Sequence, residues 1–162
     1  MQKRFSRVLA FGTFDLLHLG HIWFLKQAAK LGKELWVVVA RDKNVFKLKG
    51  YYPTQKESIR LKQIKNLPIV FKARLGQEDF NHRYKLVKSI NPQVIVLGYD
   101  QHPSIKVAEQ ELVKHGLEVK VVRIKKGYKT GVYKSTLLKN SNIEIRNTKI
   151  SDLVLRISDL IQ

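Results

Sequence analysis

Residues 8–21 read VLAFGTFDLLHLGH, and the order of residue types within them points to an architecture. Val8 to Phe11 is a short, wholly apolar run, as a buried strand requires. Gly12 ends the run, and from Leu19 onward Ile22, Leu25, Ala28 and Ala29 recur at helical spacing. A turn between a buried strand and a helix is where an α/β protein aims backbone N–H groups at an anion. In this turn stand Thr13, Phe14 and Asp15, then His18 and His21 on either side of Gly20. With a helix starting near Leu19, both imidazoles and the unpaired helix N–H groups face one small volume. Gly20 leaves room for a ligand to approach the backbone. The pattern predicts a phosphate site with two imidazole donors, although a histidine pair in such a turn can also be incidental.

Outward from that stretch the chain alternates. Gly32 reads as the glycine just past the first helix. Residues 35–40, LWVVVA, read as a parallel strand covered on both faces. Arg41 and Asp42 lead into a basic loop, NVFKLKGYYP, closed by Pro53, with Thr54 as a helix N-cap. A helix bearing Ile59, Leu61 and Ile64 ends by Pro68, and residues 69–71 (IVF) read as a short strand. Phe80 to Ile90 reads as a helix, Asn91-Pro92 as a turn, and Val94 to Leu97 as another buried strand. Ser104 caps a helix that runs through His115 to Gly116, and Leu117 to Ile124 is the last strand. Alternation of this kind predicts an α/β fold: a Rossmann-like, doubly wound parallel sheet of about five strands. Its ligand crevice lies at the carboxyl ends of the strands. Loops 12–21, 41–53, 98–103 and 125–136 all follow strands and are expected to converge there. The tail carries an amphipathic stripe, Ile150, Leu153, Val154, Ile157, Leu160 and Ile161, which predicts a C-terminal helix.

The 162 residues suffice for one such domain. With no cysteine, disulfides, zinc–thiolate sites and thiol nucleophiles are excluded. No apolar run approaches the roughly 20 residues of a membrane span, and MQKRFSRVLAFG lacks a signal-peptide core. A cytoplasmic location is expected. The formal charge of +18, from 31 Lys and Arg against 13 Asp and Glu, favours anionic partners. The lysines are spread along the chain, which suits solvated helix faces as well as a nucleic-acid surface.

The string GTFDLLHLGH closely resembles the G-T-F-D…H-x-G-H signature of the nucleotidyltransferase (cytidylyltransferase-like) superfamily. The resemblance implies one nucleotidyltransferase domain over residues 1–140. Residues 141–162 then form a helical extension that packs on the same domain or on a second subunit of a homodimer. It also implies transfer of a nucleoside monophosphate from a triphosphate to a phosphate-bearing acceptor, with His18 and His21 stabilising the transition state. Lys49, and beside it Lys47, would hold the leaving phosphates if KLKG is extended; the same residues could be a solvated basic loop. Gly12, Thr13, Phe14, Gly20, Gly98 and Asp100 would line the nucleotide pocket, and Arg60 would lie on a helix near the phosphates or serve on the surface. KTGVYKST resembles the family's C-terminal motif, which makes Ser135 and Thr136 nucleotide ligands and Lys129, in place of arginine, a phosphate contact. Mg²⁺ is expected with the triphosphate, with Asp15 near it.

VVVARD, KLKG and VIVLGYDQ (residues 94–101) look most like the archaeal-type FAD synthetases, which implies ATP and FMN as substrates. Tyr51, Tyr52 and Tyr99 are then candidates for a flat wall against the flavin, or ordinary loop aromatics. Those enzymes commonly carry cysteines near the C-terminal motif, which this chain lacks. A cytidylyltransferase using CTP and glycerol 3-phosphate is the alternative. A non-catalytic, basic nucleic-acid-binding protein on this fold is the remote one, since no aromatic RNA-binding signature accompanies the charge.

Overall fold

The computed structural model describes residues 4–125. Eight residues from the N-terminal part of that span, Phe5–Gly12, form β1, followed by α1 (Leu19–Ala29) and β2 (Gly32–Val39). Next come α2 (Asp42–Lys49), α3 (Glu57–Lys65) and β3 (Lys72–Leu75). A 3-10 turn at Phe80–His82 leads into α4 (Arg83–Ile90), and β4 (Val94–Leu97), α5 (Ile105–Lys114) and β5 (Lys120–Arg123) complete the order. The strands form one five-stranded sheet in the order β3-β2-β1-β4-β5, and every pairing is parallel. This is the doubly wound sheet that the alternation predicts.

The strand period of two divides the apolar residues between two layers. Val8 and Ala10 of β1, with Leu35, Val37 and Val39 of β2, pack under Ile22, Leu25 and Ala28 of α1 and Ile64 of α3. Leu9, Val38, Ile95 and Leu97 face the other way, onto Leu86, Val87 and Ile90 of α4 and Leu112 of α5. Both layers are shielded from water, so the central strands read as unbroken apolar runs. No helix among the described residues is long and apolar enough to cross a membrane.

Several boundaries differ from the sequence expectations, each for a local reason. Gly32 does not cap α1; it opens β2, where a Cβ would stand 2.4 Å from Val8 Cγ2. Its smallness serves close packing against β1. The basic segment after β2 is not an extended loop: residues 42–49 form α2, and Gly50 closes it at φ 76°. Thr54 does not cap α3; its N-cap is Lys56, without a side-chain bond. The strand expected at 69–71 lies three residues later, because β3 is an edge strand with Ala73 as its buried residue, and KARL carries no apolar run. Phe71 is exposed, although its N–H already bonds to Leu35 O at 2.9 Å. Asn91 is more than a turn residue, taking the left-handed cap position of α4 at φ 52°. Ser104 caps α5 as expected, accepting from Val107 N. The helical extension expected at residues 141–162 and the sites expected at Lys129, Ser135 and Thr136 lie outside the described residues.

Candidate active site

β1 and β4 are neighbours in the sheet, although α1 leaves β1 towards β2 and α4 lies between β3 and β4 in sequence. The turns after these strands therefore open against each other at the sheet's carboxyl edge, as a switch point demands. A side chain closes the gap: Gln101 Nε2 donates to Phe11 O at 2.9 Å, while its Oε1 accepts Gly98 N at 2.7 Å. Arg123, the last residue of β5, donates to Gly98 O, Gln101 O and Pro103 O at 2.6–2.7 Å. Gly98 and Asp100 thus sit in a loop held from both sides, with Asp100 exposed.

The turn after β1 is bent by two non-glycine residues in the left-handed region, Phe14 at φ 52° and Leu16 at φ 50°. Such conformations cost on the order of 1–3 kcal/mol each and persist where the surroundings impose them. The Phe14 ring lies over Gly12, where a Cβ would meet it at 2.6 Å. Phe14 is consequently buried and supports the turn from below, and its ring meets His21 edge-on at 5.5 Å.

His18 is the N-cap of α1, with extended backbone, and its Nδ1 accepts Gly20 N at 3.1 Å. A ring nitrogen that accepts a backbone N–H carries no proton, so the proton of neutral His18 resides on Nε2. His21, one turn along, stacks on His18 with ring centroids 3.7 Å apart and planes at 24°. Burial lowers the His18 pKa from 6.5 to about 4. His21 lies well below its ordinary value, chiefly through burial, then through His18 and Lys49. Burial thus favours the neutral form of both rings, which stack at a helix N-terminus. His21 Nδ1 is enclosed without a hydrogen-bond partner among the described residues, and buried polar atoms in that state call for an outside partner.

Lys49 Nζ reaches Thr13 Oγ1 at 3.5 Å, which places its ammonium at the rim of the same turn. Lys47 does not accompany it. Residues two apart on a helix point to different sides, so the paired ammonium groups expected of an extended KLKG are not formed.

Arg60 is the larger correction. Expected near the phosphates, it is fully buried, with Nε on Gln55 O at 2.9 Å, Nη1 on Thr13 O, and Nη2 on Ala40 O at 2.8 Å and Asp42 Oδ1 at 2.6 Å. Its guanidinium clasps three segments together beneath the turn instead of presenting itself to a ligand. Around it the N-termini of α2 and α3 cap each other: Asp42 N donates to Glu57 Oε2 at 2.8 Å, and Glu57 N to Asp42 Oδ2 at 3.2 Å. Arg41 adds a bond to Glu57 Oε1 at 3.0 Å.

Asp15 is likewise committed to structure. Its oxygens accept Thr54 N at 2.8 Å and Gln55 N at 2.9 Å, while Gln55 Oε1 accepts Leu16 N at 3.2 Å. The carboxylate thereby ties residues 54 and 55 to the turn after β1. No group of three His, Cys, Asp or Glu among the described residues is arranged to hold an ion. The Mg²⁺ of a nucleotide normally keeps phosphate and water ligands. Gln101 ends the VIVLGYDQ stretch, but nothing in that string shows that its side chain bridges β1 and β4. Arg123, a charge ending an apolar strand at the sheet's carboxyl edge, was a signal available to be read.

A parallel switch-point crevice, a histidine-capped helix aimed into it and a lysine at its rim define a nucleotide-handling α/β domain, and the chain belongs to the cytidylyltransferase-like family, whose model matches residues 9–142. Within that family it is 51% identical to the FAD synthase of Methanosarcina acetivorans over 120 residues, 74% of this chain and 76% of the relative. The FAD synthase of Thermococcus sibiricus is 38% identical over 143 residues, 88% of this chain and 96% of the relative. Among solved structures, a lipopolysaccharide core biosynthesis protein from Thermoplasma volcanium superposes with a TM-score of 0.71 at 44% identity, covering 76% of this chain and 98% of that one. Pantoate-beta-alanine ligase from Francisella tularensis shares the fold at a TM-score of 0.57 and 15% identity, covering 98% of this chain and 79% of that one.

Proposed function

We propose that the chain is an FMN adenylyltransferase, transferring AMP from ATP to FMN to give FAD and pyrophosphate. The observation that supports the acceptor and donor is the 51% identity to an FAD synthase across three quarters of both chains. The geometry supports the chemistry. A phosphate oxygen of FMN attacks the α-phosphorus of ATP, the bond from that phosphorus to the bridging oxygen breaks, and pyrophosphate departs. Phosphate monoesters lose their second proton near pH 6, so the nucleophile arrives already ionised and no general base is required. What remains is to align two anions and to stabilise charge on the oxygens around the transferred phosphorus. His18 Nε2–H, oriented by the bond from Gly20 N to Nδ1, is a neutral donor aimed by the fold. The amino end of α1 contributes its N–H groups and partial positive charge, and Lys49 contributes the full charge that the neutral imidazoles lack. Ser135, Thr136 and Lys129 are proposed to complete the phosphate contacts.

The test is to incubate the protein with FMN and MgATP, and separately with FMN and MgCTP, and to resolve the flavins by chromatography. FAD formed with ATP and no dinucleotide with CTP is the expected result. Pyrophosphate release from CTP and glycerol 3-phosphate, with no flavin product, refutes the reading.

A further inference from the structure

The end of α2 and the residues after it carry apolar surface that the core does not use. Phe46 and Tyr52 stack on each other, with ring centroids 4.6 Å apart and planes at 20°, yet they are 45% and 59% exposed. Leu48 and Tyr51 beside them are also exposed. Stacking on each other shields only one face of each ring, and leaving aromatic surface in water is unfavourable.

The place of this pair matters more than its exposure. Phe46 precedes Lys49 by three residues and so shares its helix face; Lys49 in turn reaches Thr13. On the far side, Thr54 and Gln55 are clamped by the Asp15 carboxylate, and Gln55 holds Leu16 N. The aromatic pair is therefore tied at both ends to the turn that carries the histidines. A flat, partly wet surface set beside a cationic group suits a ligand with a planar aromatic ring at one end and a phosphate at the other.

We propose that Tyr52, backed by Phe46, is the platform on which the flavin ring of the acceptor stacks, an inference that rests on FMN as substrate. The ribityl chain then carries the FMN phosphate inward to Lys49 and the histidine pair. Tyr52 rather than Phe46 meets the ring, being the more exposed of the two. The platform discriminates by what it stabilises: a phosphorylated alcohol without a ring gains nothing there, so acceptor choice is decided away from the reacting atoms.

Three variants test this: Tyr52→Leu, Tyr52→Phe and Phe46→Leu, with circular dichroism to verify folding. Stacking of a base-sized ring on an aromatic side chain accounts for about tenfold or more in affinity. Tyr52→Leu is expected to raise KM for FMN about tenfold against at most about a twofold change for ATP, and Phe46→Leu to act in the same direction more weakly. Tyr52→Phe restores most of the lost affinity. A phenol stacked on a flavin quenches its emission and a phenyl ring does not. Flavin bound to the unaltered chain is therefore dimmer than flavin bound to Tyr52→Phe. The inference is overturned if Tyr52→Leu leaves KM for FMN unchanged, if it raises KM for FMN and ATP alike, or if bound-flavin emission is the same in the wild type and Tyr52→Phe. It is also overturned if light scattering shows the pair buried between two copies that separate on substitution. An unaltered chain that forms no FAD from FMN and ATP refutes the functional reading itself, a result separate from any of these.

Discussion

Replacing Arg60 with leucine separates a clasp from a phosphate ligand. The guanidinium is fully buried and makes an ion pair with Asp42 at 2.6 Å, and it donates to the carbonyls of Thr13, Ala40 and Gln55. Removing one partner of a buried ion pair costs about 3–5 kcal/mol, and the low end applies because the Asp42 side chain keeps 27% exposure. Three carbonyls that lose a donor add further cost, on the order of 1 kcal/mol where no water replaces the donor. A total near 4 kcal/mol is a large share of the roughly 5–15 kcal/mol that holds a domain together. For a chain of this size it lowers the thermal midpoint by on the order of 10 °C. Arg60→Lys, with one ammonium for several acceptors, is expected to fall between. The assay is thermal unfolding by circular dichroism, run beside KM for ATP at a temperature where each variant is folded. A midpoint within about 1 °C of wild type, combined with a large rise in KM for ATP, refutes the clasp and returns Arg60 to the phosphates.

Alanine at His18 or His21 should lower kcat by about a hundredfold or more, with a smaller change in ATP affinity, because the contacts strengthen as charge develops; near-normal turnover in single-turnover measurements would remove both from the reaction. Gly12→Ala puts a methyl 2.6 Å from the Phe14 ring, so kcat and the thermal midpoint should fall together, and loss of neither means that the turn has slack. The pH dependence follows from a His18 pKa lowered from 6.5 to about 4. Between these values the unfolded chain binds the extra proton, so stability declines as pH falls below about 6.5 and the loss is complete below about 4, amounting to about 3 kcal/mol. Urea titrations at pH 7.5, 6 and 5 measure it, with His18→Asn as the comparison in which only the share of the slope owed to buried His21 remains. Gln101→Leu frees Gly98 N and Phe11 O together and is expected to raise KM for ATP severalfold with little change in fold, read by steady-state kinetics and near-ultraviolet circular dichroism.

Where one physical signal dominated, the sequence was legible. β1, β2 and β4 are buried on both faces, so Val8, Leu9, Ala10, Val37 and Val96 announce strands without help from context. The turn holding His18 and His21 was legible for the same reason, since a strand, a glycine and a helix repeat bracket it. α2 was hidden by composition: Asn44 and Val45 are its buried residues, and NVFKLKG carries too little apolar periodicity to oppose the expectation of a loop. The structural duties of Arg60 and Asp15 were not legible because sequence gives a charge but not its direction. Both proved to be spent on backbone groups of the same folded unit, a distinction that depends on segments some 40 residues apart meeting in space.

The bond from Gly20 N to His18 Nδ1 gives this residue two separable duties. As a cap it begins α1; as the donor proposed for the reaction it would meet substrate. An asparagine at position 18 offers the helix an acceptor of good capping quality yet presents no imidazole N–H beyond it. Substitution tolerance at this position should therefore split by phenotype: residues with a short side-chain oxygen preserve full stability in an idle protein, while apolar residues lose turnover together with about 1 kcal/mol of helix-cap stability. A saturation library scored once for abundance and once for flavin product would display that division at a single codon, and it would show how far ordering the helix and arming the catalyst are one event.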